Sequence, residues 1–138
     1  MPSSRVKAKW WFNASNHAIK IVILVKWYQK GQRIILQQWR EVPLALQPRV
    51  AIIRASTAAT LVPECVQEIE MTRAAGITNT DPNRFNPVLY TVRNGPLQLA
   101  FADLFLRQPN LNQEERDIVI INQDLQQYAA RIWKDAGL

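Results

Sequence analysis

The sequence predicts a mixed α/β (α+β) domain: a small mixed sheet with a central hairpin of about 18–28 and 32–40, an N-terminal helix and a C-terminal helix. Three observations support this. Two apolar runs flank a glycine turn, as in a hairpin. Apolar residues recur at helical spacing near both ends of the chain. The chain has 138 residues, 48% of them hydrophobic, so we expect 1–138 to form a single domain.

The first predicted element is a helix that begins after Ser3 or Ser4, either of which can cap it, and ends near Ala14. Its apolar residues at helical spacing are Val6, Trp10, Trp11 and Ala14. We expect a core to cover this aromatic face. Residues 13–17 are polar and predict the exit from the helix.

The hairpin is the firmest local prediction. Residues 19–28 are rich in β-branched side chains with a continuous apolar centre, which favours a central strand buried on both faces. After the turn at Lys30 and Gly31, residues 33–39 alternate imperfectly and predict an antiparallel partner strand. The side chains expected to point inward are Ile34, Leu36 and Trp39.

The middle of the chain has weaker signals. Residues 49–54 predict a strand, and residues 66–72 show the alternation of an edge strand, although a helix stays open for either segment. Residues 74–86 combine glycine, proline and asparagine, so we expect a loop there, and it is the best candidate for mobility. Residues 88–92 are expected to be extended, and residues 94–96 to form a break before 97–101.

The last third ends in a predicted amphipathic helix. A short helix at 101–106 and a compact strand at 117–121 precede it, and it runs from Asn122 or Gln123 through Trp133. Its apolar side comprises Leu125, Tyr128, Ala129 and Ile132, with Trp133 adjoining them.

The charges are unevenly distributed along the chain. Residues 1–54 hold ten Lys or Arg and one acid, Glu41, whereas residues 55–138 hold seven Lys or Arg and ten acids. The basic part could attract nucleic acid, an anionic membrane surface or an acidic protein. A solvated basic face without a partner is the alternative.

Composition excludes several classes of protein. No apolar run has the roughly 18 to 20 residues of a membrane-spanning helix, and no signal-peptide core is present, so we expect a soluble, intracellular protein of the cytoplasm or nucleus. Cys65 is the only cysteine and His17 the only histidine. An internal disulfide and an ordinary structural zinc site are therefore excluded.

Five segments in a fixed order carry a family resemblance: WWFNAS, IKIVILVKW, IILQQWRE, GPLQLAFADLFLRQP and DIVIINQDLQQYAARIW. In this order the chain resembles the C-terminal half of uncharacterised fungal proteins related to PD-(D/E)xK restriction-endonuclease-like domains. The resemblance covers most of the chain. The family's tryptophans, its strand pattern and the acid after its second strand are matched here by Trp10, Trp11, residues 20–24, Trp39 and Glu41.

The resemblance implies a truncated core without catalysis. The family's metal-binding acids and lysine lie upstream of the helix that opens this chain, so we expect no enzyme activity and no cofactor. Pro63 and Glu64, followed by Glu68 and Glu70, match the family motif only superficially, because the gap is short and no suitable lysine follows. A solvated acidic strand face is the simpler interpretation.

Other catalytic chemistry has little support in the sequence. His17 could act as a general base, but its position before a strand is typical of a surface turn residue. Cys65 would need a base and an electropositive site to become a nucleophile, and its neighbours Glu64 and Glu68 oppose that. The chain contains no dinucleotide-binding, Walker A or nucleophile-elbow motif.

Two functional hypotheses remain, and the first is a non-catalytic protein-interaction module. If the sheet lacks the hairpin that normally lies beside 19–28, that strand has an unpaired edge, which another chain can complete. We expect a homodimer or a complex with a protein partner. The residues expected at this edge are Ile19, Ile21, Ile23, Val25 and Trp27.

The second hypothesis is salt-sensitive nucleic-acid binding without cleavage. Phosphates would be contacted by Lys7, Lys9, Lys20, Lys26, Lys30 and Arg33. Bases would stack on Trp10, Trp11 or Trp27. Two of these tryptophans lie where the first helix is expected to bury them, which places this hypothesis second.

Overall fold

The structure is a computed structural model that describes residues 3–44 and 60–137. It confirms the predicted fold class, a mixed arrangement of helices and strands with a hairpin and a helix near each end. The elements, in order, are α1 (Ser4–Ala14), β1 (Val22–Tyr28), β2 (Arg33–Pro43), β3 (Leu61–Arg73), a 3-10 turn (Pro87–Leu89), β4 (Tyr90–Arg93), β5 (Leu97–Leu99), α2 (Phe101–Phe105), a 3-10 turn (Leu111–Gln113), β6 (Ile118–Ile120) and α3 (Asn122–Asp135).

The main sheet has four strands in the order β1-β2-β3-β4. It is antiparallel, where the sequence analysis expected a mixed sheet. In the register of β3 and β4, Glu70 pairs with Arg93 and Arg73 pairs with Tyr90. Strands β5 and β6 form a separate antiparallel pair in which Leu97 lies opposite Ile120. Among the described strands, β1 therefore ends the main sheet.

The chain divides into two compact units. Unit 1 contains the described residues of Met1–Leu24 and Gln38–Val66, and unit 2 those of Val25–Gln37 and Gln67–Leu138. Strands β1, β2 and β3 each contribute residues to both units. Each unit has its own cluster of buried residues.

The core of unit 1 forms beneath α1. Ser3 caps this helix as predicted, its Oγ accepting a hydrogen bond from the Val6 N–H at 3.2 Å. Ala8 and Phe12, one helical turn apart, are buried. They pack with Val22 and Trp39, so α1 turns its Ala8–Phe12 side to the core. The prediction that the core covers Trp10 and Trp11 is therefore wrong.

The core of unit 2 forms around α3 and the sheet strands. Its buried residues are Ile34, Leu36, Ile69, Met71, Tyr90, Leu97, Leu125, Ala129, Ala130 and Trp133. Helix α3 confirms the predicted closing helix, but Ala130 is buried and Tyr128 is exposed, so its buried side is rotated from the predicted one. The Arg73 guanidinium lies 4.5 Å from the centre of the Trp133 ring, and burial raises the pKa of Tyr90 above its ordinary value of 10.0.

Two predicted strands have different surroundings from those expected. The strand predicted at 19–28 begins at Val22, and it is not buried on both faces, because Ile23, Val25 and Trp27 are exposed. These three residues alternate with Val22 and Leu24 and therefore lie on the other face of the strand, which is only partly covered. The edge strand predicted at 66–72 lies within β3, which has neighbours on both sides.

The remaining predictions are mostly confirmed. Residues 74–86 form turns and loop, the short helix α2 occupies Phe101–Phe105, and β6 occupies Ile118–Ile120. The expected extended segment at 88–92 is divided between a 3-10 turn and β4. The strand predicted at 49–54 lies outside the described residues.

Candidate interaction surface

Helix α1 presents its largest side chains to solvent. Because Ala8 and Phe12 occupy the buried side, the helical geometry places Val6, Trp10 and Trp11 away from the core. Trp10 is 61% exposed and Trp11 is 48% exposed. Their rings meet edge to face with centroids 5.0 Å apart, so they support each other without being covered.

The start of β1 extends this apolar area within unit 1. One depression of about 260 Å³ is lined by Val6, Lys7, Trp10, Trp11 and Leu24. A second depression of about 260 Å³ is lined by Trp11, Ile19, Ile21, Val22 and Ile23. Both depressions share Trp11. We call the exposed apolar residues Val6, Trp10, Trp11, Ile19 and Ile23 the α1–β1 surface.

The position of β1 adds main-chain groups to this surface. Strand β1 is hydrogen-bonded to β2, and within the described ranges no strand pairs with its other edge. A strand with one neighbour leaves a row of N–H and C=O groups open to pairing. The α1–β1 surface thus combines exposed indole and aliphatic side chains with a strand edge that no described strand pairs.

Helix α1 and the turn before β1 carry basic side chains and no acidic ones. Lys20 donates from Nζ to the His17 carbonyl oxygen at 2.6 Å, and Arg5 donates to the Pro63 carbonyl oxygen at 2.7 Å. Lys7 and Lys9 are exposed on α1 and make no ion pair with any described residue. The described residues of unit 1 hold five Lys or Arg (Arg5, Lys7, Lys9, Lys20 and Arg40) against two acids, Glu41 and Glu64, so the net charge here is positive.

His17 lies in a turn, as predicted, and holds it to β2. Its Nδ1 lies 2.7 Å from Oε1 of Glu41, and its φ of +61° is the left-handed conformation of a turn residue. The Glu41 side chain is 11% exposed and the His17 side chain 44% exposed. This pair ties the α1 exit to the end of β2.

The other predicted edge and phosphate-binding residues lie in unit 2. Trp27 packs edge to face on Trp133 with centroids 5.2 Å apart, and the Arg33 guanidinium stacks 4.7 Å from the Tyr28 ring centre. Lys26 is half-buried on β1 and Lys30 is exposed in the turn. The six predicted basic residues therefore divide evenly: Lys7, Lys9 and Lys20 lie in unit 1, and Lys26, Lys30 and Arg33 lie in unit 2.

Two acidic residues of β3, Glu68 and Glu70, have hydrogen-bond partners. Glu68 Oε1 accepts from Gln37 Nε2 at 2.8 Å, and Glu70 Oε1 accepts from Thr72 Oγ1 at 3.2 Å. Cys65 is half-buried against the core of unit 1. In the described ranges, no three His, Cys, Asp or Glu side chains converge as a metal site, and no helix is long and apolar enough to cross a membrane.

Neither a protein-family model, nor a curated protein, nor a solved structure matches the chain. The relationship to restriction-endonuclease-like domains therefore stays a prediction. Sequence reasoning did not foresee the exposure of Trp10 and Trp11. The signal was present in the Ala8–Phe12 spacing, since an alanine allows close packing and a phenylalanine four residues later lies on the same side.

Proposed function

We propose that this protein is a non-catalytic protein-interaction module that acts through the α1–β1 surface, either with a second copy of itself or with a protein partner. The exposure of Trp10 and Trp11 beside an end strand is the observation that carries the proposal. Tryptophans are enriched at the centres of protein interfaces, where their burial contributes strongly to affinity. A contiguous apolar area rimmed by polar residues is typical of an interaction site.

The proposal includes the evolutionary origin of this module from a nuclease-like fold. It rests on the order of tryptophan and strand motifs in the sequence. The genomic reading frame upstream of the first codon tests it. A strand hairpin bearing acids and a lysine, encoded in frame, would mean that a catalytic half exists and would overturn the proposal of a non-catalytic module.

Site-specific photo-crosslinking tests the interaction. A photoreactive phenylalanine analogue is placed at Trp11 or at Ile23, with a control at Val88, an exposed residue of unit 2. Irradiation in the cells that produce the protein should yield protein adducts from the two surface positions and few from Val88. An adduct of twice the 15.9 kDa chain mass would indicate self-association. Equal yields at all three positions would contradict the proposal.

Nucleic-acid binding is the second candidate, and one observation favours it. Lys7 lies one helical turn before Trp10 and Trp11, and all three side chains line the same depression. A cation beside exposed rings can hold a phosphate while a base stacks. In the crosslinking experiment, this function would give adducts that nuclease removes and protease does not.

Fluorescence anisotropy with labelled DNA and RNA tests this second candidate directly. Binding should weaken steeply as salt rises, because phosphate contacts release counterions. Changing Lys7, Lys9, Lys30 and Arg33 to Ser should abolish it while leaving the fold intact. Mg²⁺ is included and the probe is checked for cleavage, since an intact probe is what the non-catalytic proposal requires. Salt-insensitive binding, or none near physiological salt, would remove this candidate.

A further inference from the structure

The electrostatics of unit 1 restrict what can cover the α1–β1 surface. Lys7 and Lys9 project from α1, Lys20 precedes β1, and no carboxylate occurs before Glu41. Glu41 is itself held against His17, and Glu64, exposed on β3, is the other acid among the described residues of unit 1. A partner that buries the indoles must bring its own charges close to these lysines, and like charges at an interface are strongly unfavourable. The surface therefore favours a partner with acidic side chains.

The form of the surface indicates the conformation of that partner. The edge of β1 that no described strand pairs could offer hydrogen bonds to one extended chain, and alternate residues of such a chain point to the same side about every 6.6–6.8 Å. Two depressions of about 260 Å³ each, which share Trp11, are lined by residues of α1 and of the start of β1, and each could receive one apolar side chain. Added strands gain affinity from main-chain bonds and specificity from such pockets.

A second copy of the chain fits this surface poorly. Antiparallel pairing of β1 with itself about Ile23 would place Lys20 of each copy opposite Lys26 of the other. Like charges directly opposite each other destabilise a strand pair. In any other register, too, no carboxylate of β1 would lie opposite these lysines, since residues 3–40 contain no Asp or Glu.

We propose that the α1–β1 surface binds an extended acidic segment of another protein, which pairs with the edge of β1 and carries apolar anchor residues flanked by Glu or Asp. This rests on the function proposed above and names the chemistry of the partner. The anchors fill the depressions beside Trp11, and the acidic side chains lie near Lys7, Lys9 and Lys20.

Defined peptides and the full chain test this. The probe is a labelled nine-residue peptide with isoleucine and valine anchors between glutamates. Three matched peptides replace glutamate by lysine, replace the anchors by serine, or carry N-methyl groups at alternate residues. We expect the acidic peptide to bind, with affinity falling as salt rises, and each matched peptide to lose at least about tenfold in affinity.

Two charge-reversed variants locate the binding. Lys7→Glu with Lys9→Glu should weaken binding of the acidic peptide by about tenfold or more, because two attractions become repulsions. Arg131→Glu with Lys134→Glu, on the exposed side of α3 in unit 2, makes the same change in net charge and should leave the affinity within about twofold. Circular dichroism is used to check that both variants are folded.

The outcomes separate the partner chemistry from the function it rests on. Binding of the acidic peptide by a monomeric chain, lost on charge reversal of α1, supports the inference. If the serine-anchored peptide binds equally well, or if both charge-reversed variants bind equally, only unspecific attraction remains and the inference is overturned. A dimer in sedimentation that Trp11→Ser abolishes, without peptide binding, overturns the inference and leaves the interaction module standing. Binding of nucleic acid alone overturns both.

Discussion

At the scale of single residues, the Glu115 carboxylate shows how a few hydrogen bonds change acidity at a surface. Its oxygens accept from both terminal guanidinium nitrogens of Arg107 and from the Asn110 N–H, which lies 2.8 Å from Oε1. These bonds lower the pKa of Glu115 from its ordinary 4.5 to about 2, chiefly through Arg107, and the same contact raises the pKa of Arg107. The loop between α2 and β6 is thereby closed by a bidentate ion pair.

We therefore expect ¹³C NMR titration to give Glu115 a pKa of about 2, and Arg107→Ala to raise it toward 4.5. Since the pKa is lowered in the folded state, the contribution of this pair to stability is complete above about pH 4.5 and is lost as the pH falls toward 2. Arg116→Ala, a nearby change outside the pair, should leave the titration unchanged. An ordinary pKa in the native protein would show that the pair does not persist in solution.

Burial, not size, decides which aromatic residue of α1 matters for stability. Phe12 is completely buried, whereas Trp10 is the most exposed tryptophan of this helix. Phe12→Ala should lower the free energy of unfolding by about 3–5 kcal/mol, and Trp10→Ala by less than about 1 kcal/mol. Urea unfolding followed by circular dichroism measures both. A larger loss from Trp10→Ala would mean that Trp10 is covered in solution.

At the scale of elements, most helices and strands were predictable and their neighbours were not. The capping serine, the hairpin turn and the closing helix are local signals, and the structure confirms all three. The internal position of β3 was missed, because alternation describes which side chains point inward and not how many neighbours a strand has. The start of β3 at Leu61 was also missed.

Gln67 connects β3 to the turn between β4 and β5. Its Nε2 donates to the carbonyl oxygens of Pro96 at 2.6 Å and Asn94 at 3.1 Å, and its Oε1 accepts from the Gln98 N–H at 3.3 Å. Gln67→Ala should cost about 0.5–1.5 kcal/mol of unfolding free energy, because three hydrogen bonds are lost and water can replace the exposed ones.

Glu64→Ala, an exposed position on the same strand, is the control for Gln67 and should change the free energy of unfolding by less than about 0.5 kcal/mol. Guanidinium denaturation of the three proteins gives the comparison. Equal stability of Gln67→Ala and the unmodified protein would show that water replaces the glutamine amide at no cost.

At the scale of the whole molecule, the free edge of β1 has a measurable consequence. Strand pairing protects amides from exchange, so we expect alternate β1 amides, those not bonded to β2, to exchange much faster than amides of the internal strands β2 and β3. Hydrogen exchange followed by NMR measures this residue by residue. Uniform protection along β1 would mean that its edge is covered, and the surface proposed above would then be closed.

Local sequence patterns are enough to predict the fold class, the capped first helix, the hairpin, the closing helix and the concentration of positive charge within residues 1–54. Periodicity and turn chemistry act over a few residues, and composition needs no structure. The position of β1 at the end of the described sheet and the exposure of Trp10 and Trp11 depend instead on the tertiary structure. The physical reason is that burial depends on which segments pack together, and distant residues such as Val22 and Trp39 select the Ala8–Phe12 side of α1 for the core.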